Sequence, residues 1–446
     1  MKQGIFLLII SLLINHNIKA QTIITVAGST GGTFVGDGGP ATNSNLWTPI
    51  GLAIDAAGNL FIADYGADRV RKVNSAGIIN AAAGNGLAAE TGDGGPATAA
   101  EVGGSIGVAF DAIGNLYIAA EDSNRIRKVD TAGIITTIAG YGRVYGGDGG
   151  PATAAGIGTP YDVVVDGRGN IYFSEPNKYT IRKIDATGTI STFAGTGVAG
   201  YNGDSIAATS AQLNFPRGLA VDDTGNVYVG DYLNYRVRKI DTFGMITTIA
   251  GTGTLAHAGD GGAATAASLS YPAGVATDHA GNIYISDGLW IRKVDTAGII
   301  STISGGGTSA DFGDGGPATA GSFEQTAGIK VGADGSIYIA DGTAQRVRKI
   351  VPSVPSESLS SRKLTKKGEG LLLSPNPTSG NITIQAPEAG SLVVYNMIGQ
   401  QVAAYKLASG ATDVRLPAAL AAGVYMGVYK ADDGGTQQTV RVVVER

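Results

Sequence analysis

Five similar hydrophobic runs in this chain each end in an acid: Asp64, Glu175, Asp231, Asp287 and Asp341. A sixth run departs, with Ala120 at that place followed by Glu121 and Asp122. Carboxylates at equivalent places can gather around a cation, or each can hold a backbone amide or a nearby arginine. An Arg often follows five residues later, at Arg69, Arg125, Arg236 and Arg346. Identity between copies points to a packing role for the acids. Differences between copies point to binding. Tyr161-Asp162 stands where other copies have an apolar residue or Ala, then Gly. Arg217 takes the place of Tyr161 in the next copy, and Trp290 occupies a loop two residues shorter. The candidate ligand set is therefore Asp64, Tyr161, Asp162, Glu175, Arg217, Asp231, Asp287, Trp290 and Asp341. An aromatic, an Arg and acids around a concave opening suit a sugar or a peptide.

Catalytic letter patterns are present but lack their setting. Gly103-Gly-Ser105-Ile-Gly107 spells G-x-S-x-G without a strand-to-helix elbow, and no His accompanies it. Gly195-Thr-Gly-Val-Ala-Gly200 spells G-x-G-x-x-G without a βαβ unit. Outside the first twenty residues, histidine occurs only as His257 and His279, expected on opposite faces. No cysteine is present, which removes disulfides, thiolate ligands and a thiol nucleophile.

The elements that position these residues come from a repeat. Gly36-Asp-Gly-Gly-Pro-Ala-Thr42 recurs in near-copies whose Asp residues are 37, 93, 148, 204, 260 and 314, spaced 54 to 56 apart. Copies at one period mean copies of one supersecondary unit. Each unit reads as four strands. The first ends in an acid, as in Gly51-Leu-Ala-Ile-Asp55, and a Gly-Asn turn follows at Gly58-Asn59. The second is β-branched and aromatic (Leu60-Phe-Ile62), the third is Arg69-Val-Arg-Lys-Val73, and a Gly turn leads to a fourth at Ile78 to Gly84. The last unit ends after its third strand, while Thr22 to Gly28 supplies a spare fourth strand at the N-terminal end. Pairing the two removes exposed edges. The expected fold is an all-β, six-bladed β-propeller of four-stranded blades closed by the N-terminal strand. The repeated Gly-Asp-Gly-Gly Asp reads as a turn or capping residue, or as a ring of carboxylates for calcium. The Pro-Ala-Thr that follows reads as a helix start with Pro in its first turn.

Composition narrows the function. Glycine is 70 of 446 residues, charged residues are 15 % and the net charge is −5. A weakly acidic, turn-rich chain argues against nucleic acid. Lys2, the ten-residue apolar run Ile5 to Ile14 and Ala20 read as an export signal over residues 1–20, too short to span a bilayer. No transmembrane segment is expected in the mature chain. Residues 351–370 are Pro/Ser-rich, then basic, and read as a linker. Residues 371–446 then carry new strand-like runs, expected as a small β-sandwich.

Pro49-Ile-Gly-Leu-Ala-Ile-Asp55, Gly58-Asn59-Leu-Phe-Ile-Ala-Asp64 and Asp68-Arg69-Val-Arg71-Lys resemble the NHL family of propellers over residues 21–350. The Gly-Asp-Gly-Gly-Pro-Ala-Thr loops are similar to those of NHL-like propellers in large bacterial surface proteins and in teneurins. Residues 371–446 resemble the type A C-terminal sorting domain of the type 9 secretion system of Bacteroidetes. That likeness rests on Ser374-Pro-Asn-Pro377, Gly380, Val394-Tyr-Asn-Met-Ile-Gly399-Gln-Gln-Val402, Ala422-Gly-Val-Tyr425 and Val440 to Val444. The resemblances imply passage across the outer membrane through the type 9 machinery, with release or surface attachment. They imply a propeller that binds a glycan, peptide or protein at its channel mouth. The alternatives are a calcium-dependent lactonase-, esterase- or lyase-like enzyme using the same acids, and a structural ectodomain. No other cofactor is expected.

Overall fold

The computed structural model describes residues 21–29, 37–89, 91–142, 144–308 and 312–352, with 372–374, 381–386, 389–395, 401–415, 423–432 and 437–444. Residues 1–20, expected as an export signal, and nearly all of 351–370, expected as a linker, lie outside the described residues. Contacts divide the chain into two units, Met1–Ser356 and Glu357–Arg446.

The first unit is all-β, built from six antiparallel sheets in which sequence neighbours pair. The first sheet runs Pro49–Ile54, Leu60–Asp64, Arg69–Val73 and Ile79–Ala83. Its first turn is fixed by Asp55, whose Oδ1 accepts the Asn59 backbone N–H at 2.8 Å and whose Oδ2 accepts the Asn59 side chain at 2.7 Å. Gly58 there has φ +81°, a left-handed conformation that a side chain would strain. The sixth repeat contributes Thr326–Val331, Ile337–Asp341 and Arg346–Val351, and its fourth strand is Thr22–Ala27, paired antiparallel to Arg346–Val351.

Apolar side chains of neighbouring sheets share cores. Val70 and Ala83 of the first repeat pack with Val108 and Ile118 of the second. Ala340 and Val347 of the sixth pack with Leu52 and Leu60 of the first. On the inner side the first strands meet backbone to backbone. A methyl on Gly51 would stand 2.2 Å from the Ile106 carbonyl oxygen, and one on Gly328 would stand 2.2 Å from that of Ile50. Glycine is required at such a close approach.

The recurring heptapeptide forms an outer cap on each sheet. Gly38 N–H donates to the Ile79 carbonyl at 2.9 Å and Ala41 N–H to Gly77 at 2.8 Å, so the loop covers the edge of the fourth strand. In the fourth repeat it becomes a short strand, Ile206–Ala207, paired with Met245–Ala250. The helix start is a single 3-10 turn, Ala41–Asn43, with Pro40 as the preceding cap rather than a residue of the first turn. The chain leaves the turn extended at Ser44, φ −84° and ψ 141°, so the helix does not propagate.

The second unit has two antiparallel sheets. One contains Leu372–Ser374, Asn381–Ala386 and Gly410–Arg415; the other contains Gln401–Leu407, Gly390–Tyr395, Gly423–Ala431 and Gln437–Val444. Ile384 and Ala386 of the first sheet share one core with Leu392, Val394, Leu407 and Tyr429 of the second. Of the tail motif, residues 375–380, 396–400 and Ala422 lie outside the described residues.

Candidate functional site

The repeated acids sit inside the sheets. Asp64, Glu175, Asp231, Asp287 and Asp341 are all fully buried. Each accepts a backbone N–H from the segment leading into the first strand: Trp47 to Asp64 at 2.6 Å, Gly158 to Glu175 at 2.6 Å, Asn214 to Asp231 at 2.7 Å, Ser270 to Asp287 at 2.6 Å, and Gln325 to Asp341 at 2.9 Å. Four of them also face a buried third-strand arginine at 3.4 to 3.7 Å: Arg71, Arg182 and Arg238 seven residues on, and Arg292 five residues on, where the loop is two residues shorter. The arginine five residues after Asp64 turns elsewhere: Arg69 donates to the carbonyls of Gly84 at 3.1 Å and Asn85 at 2.6 Å. Burial outweighs these bonds and pushes Asp64, Asp231 and Asp287 up to about 6. None of the five lines the central cavity described below.

The heptapeptide Asp completes the arrangement from outside. Asp37, Asp93, Asp204, Asp260 and Asp314 accept from Arg71, Arg127, Arg238, Arg292 and Arg348 at 2.6 to 3.0 Å, and Asp148 accepts from Arg182. Among the described residues, these six arginines are the largest fully buried side chains. Second-strand and loop acids are thus engaged with arginine or backbone, each within its own repeat. Among the described residues no three His, Asp or Glu side chains are gathered as a metal donor set. The acids do not fit a shared calcium site.

Tyr161, Asp162 and Arg217 are brought together. First-strand residues of all six repeats line one central cavity, among them Ile50, Ile106, Tyr161, Gly218, Ala273 and Gly328. Asp162 stands where the equivalent positions are Gly51, Gly107, Gly218, Gly274 and Gly328. Its Oδ2 accepts the Leu219 N–H of the next repeat at 2.7 Å and its Oδ1 accepts the Val163 N–H at 2.9 Å. Burial pushes its carboxyl up to about 6.

Arg217 lies over three aromatic rings. Its guanidinium carbon is 3.8 Å from the Tyr232 centroid and 5.2 Å from those of Tyr161 and Phe215. Its buried Nε has no hydrogen-bond partner among the described residues. Glu121, whose pKa burial raises, feels its charge from beyond ion-pair range. Tyr271 extends the aromatic surface, 5.2 Å from Tyr232 and partly exposed. Trp290 is not part of this group: it opens the strand Trp290–Val294 and stacks on His257, centroids 4.1 Å apart. His279 pairs instead with Asp223 at 2.8 Å.

Phe215, Tyr232, Tyr271 and Glu121 join the site without having been singled out as ligand residues. The one sequence signal is that Arg217 lacks the apolar or Ala residue of most copies, so its neighbours needed inspection.

Comparison with known proteins agrees with the repeat. The Teneurin NHL domain model matches residues 198–258 and 254–310, and the Secretion system C-terminal sorting domain model matches 373–445. Teneurin-1 of Homo sapiens is 27 % identical over 358 residues, covering 70 % of this chain but 12 % of its own length. A Bacteroides thetaiotaomicron protein of unknown function shares the fold with TM-score 0.56 and 19 % identity over 74 % of this chain and 76 % of its own. An auxiliary nutrient binding protein of the same organism does so with TM-score 0.54 and 13 % identity, over 75 % and 77 %.

Proposed function

Starting from a chain that matches an NHL propeller joined to a type 9 secretion sorting domain, we propose an exported binding module that holds a polar ligand at the mouth around Arg217. The propeller has six blades and spans residues 21–350, with the N-terminal strand completing the last blade. Residues 1–20 are an export signal, 351–370 a linker, and 371–446 the sorting domain that the type 9 machinery reads. The mature protein is released or held at the cell surface.

The observation that carries this reading is the state of Arg217. It is a half-buried guanidinium stacked on aromatic rings, with a buried Nε that has no hydrogen-bond partner among the described residues. Aromatic stacking holds the planar fork in place, and a fixed fork recognises a carboxylate or a pair of carbonyl oxygens. Tyr232 and Tyr271 offer flat surfaces beside it for a sugar ring or a peptide side chain. The ligand is a glycan, a peptide or a protein segment. A calcium-dependent hydrolase needs free carboxylates, and the buried acids here already hold amides and arginines.

Glycan and peptide arrays probed with the full chain and with Arg217→Ala test the proposal. Ligands retained by the natural chain and lost by the variant support it. An empty array, or identical retention by both proteins, refutes it.

A further inference from the structure

Below the glycine ring, the next inward-facing position of each first strand is Ala53, Ala109, Val164, Ala220 or Ala276 in five repeats, and Lys330 in the sixth. One long cation thus enters a ring of small apolar side chains. Lys330 lines the cavity on both sides of this ring. Among the described residues its ammonium has no hydrogen bond or ion pair. The opposite charge nearest in effect is Asp162, which lies outside ion-pair distance and spends both oxygens on the N–H groups of Leu219 and Val163.

An ammonium set in an apolar wall without a counter-charge is costly, and burial lowers the Lys330 pKa accordingly. An anion brought to it removes that cost. The two sides of the ring differ in room. Toward Asp162 about 30 Å³ is open to the centre of a water molecule, enough for one or two waters. On the other side the corresponding volume is about 240 Å³, walled by Phe110, Val164, Ala220, Ala276 and Val331 and opening beside His279. The charged groups at that opening are Asp223, already paired with His279, and Asp278, bonded to Asn282 and Tyr284; Lys330 also borders an adjoining hollow lined by Asp166, Arg168, Lys183, Asp222 and Asp241. Beside the ring, Lys330 together with Phe110, Val164, Ala220, Ala276 and Val331 matches one negative charge on an apolar body.

We propose that Lys330 anchors a second site, which takes a small apolar monocarboxylate entering from the His279 side of the cavity. It is independent of the Arg217 mouth, so either site can fail without the other.

Fluorine NMR of 4-fluorobenzoate with the full chain tests the proposal. The expected result is saturable binding, weakened at least tenfold by Lys330→Met and unchanged by Arg217→Ala. The uncharged probe 4-fluorobenzyl alcohol should bind at least tenfold more weakly. Ala276→Leu, which keeps Lys330 and fills the cavity, should also abolish binding and serves if Lys330→Met does not fold. Absence of saturable binding, or equal binding by the natural chain and both cavity variants, overturns the proposal.

Discussion

Arg71 Nη2 lies 2.9 Å from Asp37 Oδ1 across 34 residues of chain, joining the buried third strand of the first repeat to the loop that caps its sheet. The same guanidinium faces Asp64 at 3.7 Å from its other side. An arginine between an outer and an inner carboxylate recurs with Arg182, Arg238 and Arg292. The second repeat has only the outer carboxylate, because Ala120 replaces the inner acid.

That difference makes a graded prediction. Arg238→Met strands the buried Asp231 and should cost about 3–5 kcal/mol, the usual penalty for breaking a buried pair. Arg127→Met strands only the partly exposed Asp93 and should cost clearly less. Denaturant unfolding of both variants checks the order, and equal losses would contradict the assigned partners.

The buried acids set a pH dependence. Asp231 titrates near 6 when folded, because burial outweighs its bonds from Asn214, Asn234 and Arg238. Its unfolded value is about 3.9. Between these values the folded chain holds a proton that the unfolded chain does not. Its contribution to stability is therefore full below pH about 4 and is lost as pH rises to about 6, on the order of 3 kcal/mol for the single group. Asp148 and Asp260, whose pKa values are lowered, act in the opposite sense below the ordinary carboxylate range. Unfolding free energies measured from pH 4 to 7 should fall less steeply in Asp231→Asn. An unchanged slope would place the titration elsewhere.

Glycine at the inner ring is a steric requirement. Gly51→Ala puts a methyl 2.2 Å from a backbone oxygen of the next repeat and should destabilise by about 1–3 kcal/mol. Gly167→Ala, where nothing stands within 4 Å and φ is ordinary, should be nearly neutral. Thermal melts of the two variants separate them.

The N-terminal strand should behave as part of the last sheet. Ile23 is fully buried in a core with Ile337, Ile339 and Ile350. Ile23→Ala should cost about 2–5 kcal/mol. Truncation of residues 21–28 should expose the edge of Arg346–Val351 and promote association, read by light scattering. A monomeric truncated chain of full stability would argue against this strand's role.

The strands were legible because a fixed period repeated the same hairpin chemistry, down to Asp55, Gly58 and Asn59. The pairing of Thr22–Ala27 with Arg346–Val351 followed from a surplus strand at one end and a deficit at the other. The acid–arginine partners were less legible. Arg69 and Arg71 point to the same face of one strand, two residues apart, and the nearer one in register looked like the partner of Asp64. The loop carbonyls of Gly84 and Asn85 draw Arg69 outward, and that competition is invisible in a strand pattern. In the same way, Trp290 was read as a mouth residue, and its stacking on His257 depends on a loop whose path the sequence does not specify. Arg217 and Tyr161 stood out because they break the repeat. Tyr232 and Phe215 are ordinary loop aromatics until the fold lays them against Arg217.

The most direct test of the binding reading is calorimetric titration of the tightest array ligand into the natural chain and into Arg217→Ala of equal thermal stability. The account predicts at least a tenfold rise in Kd for the variant. An unchanged Kd would place the ligand away from Arg217 and contradict the proposed site.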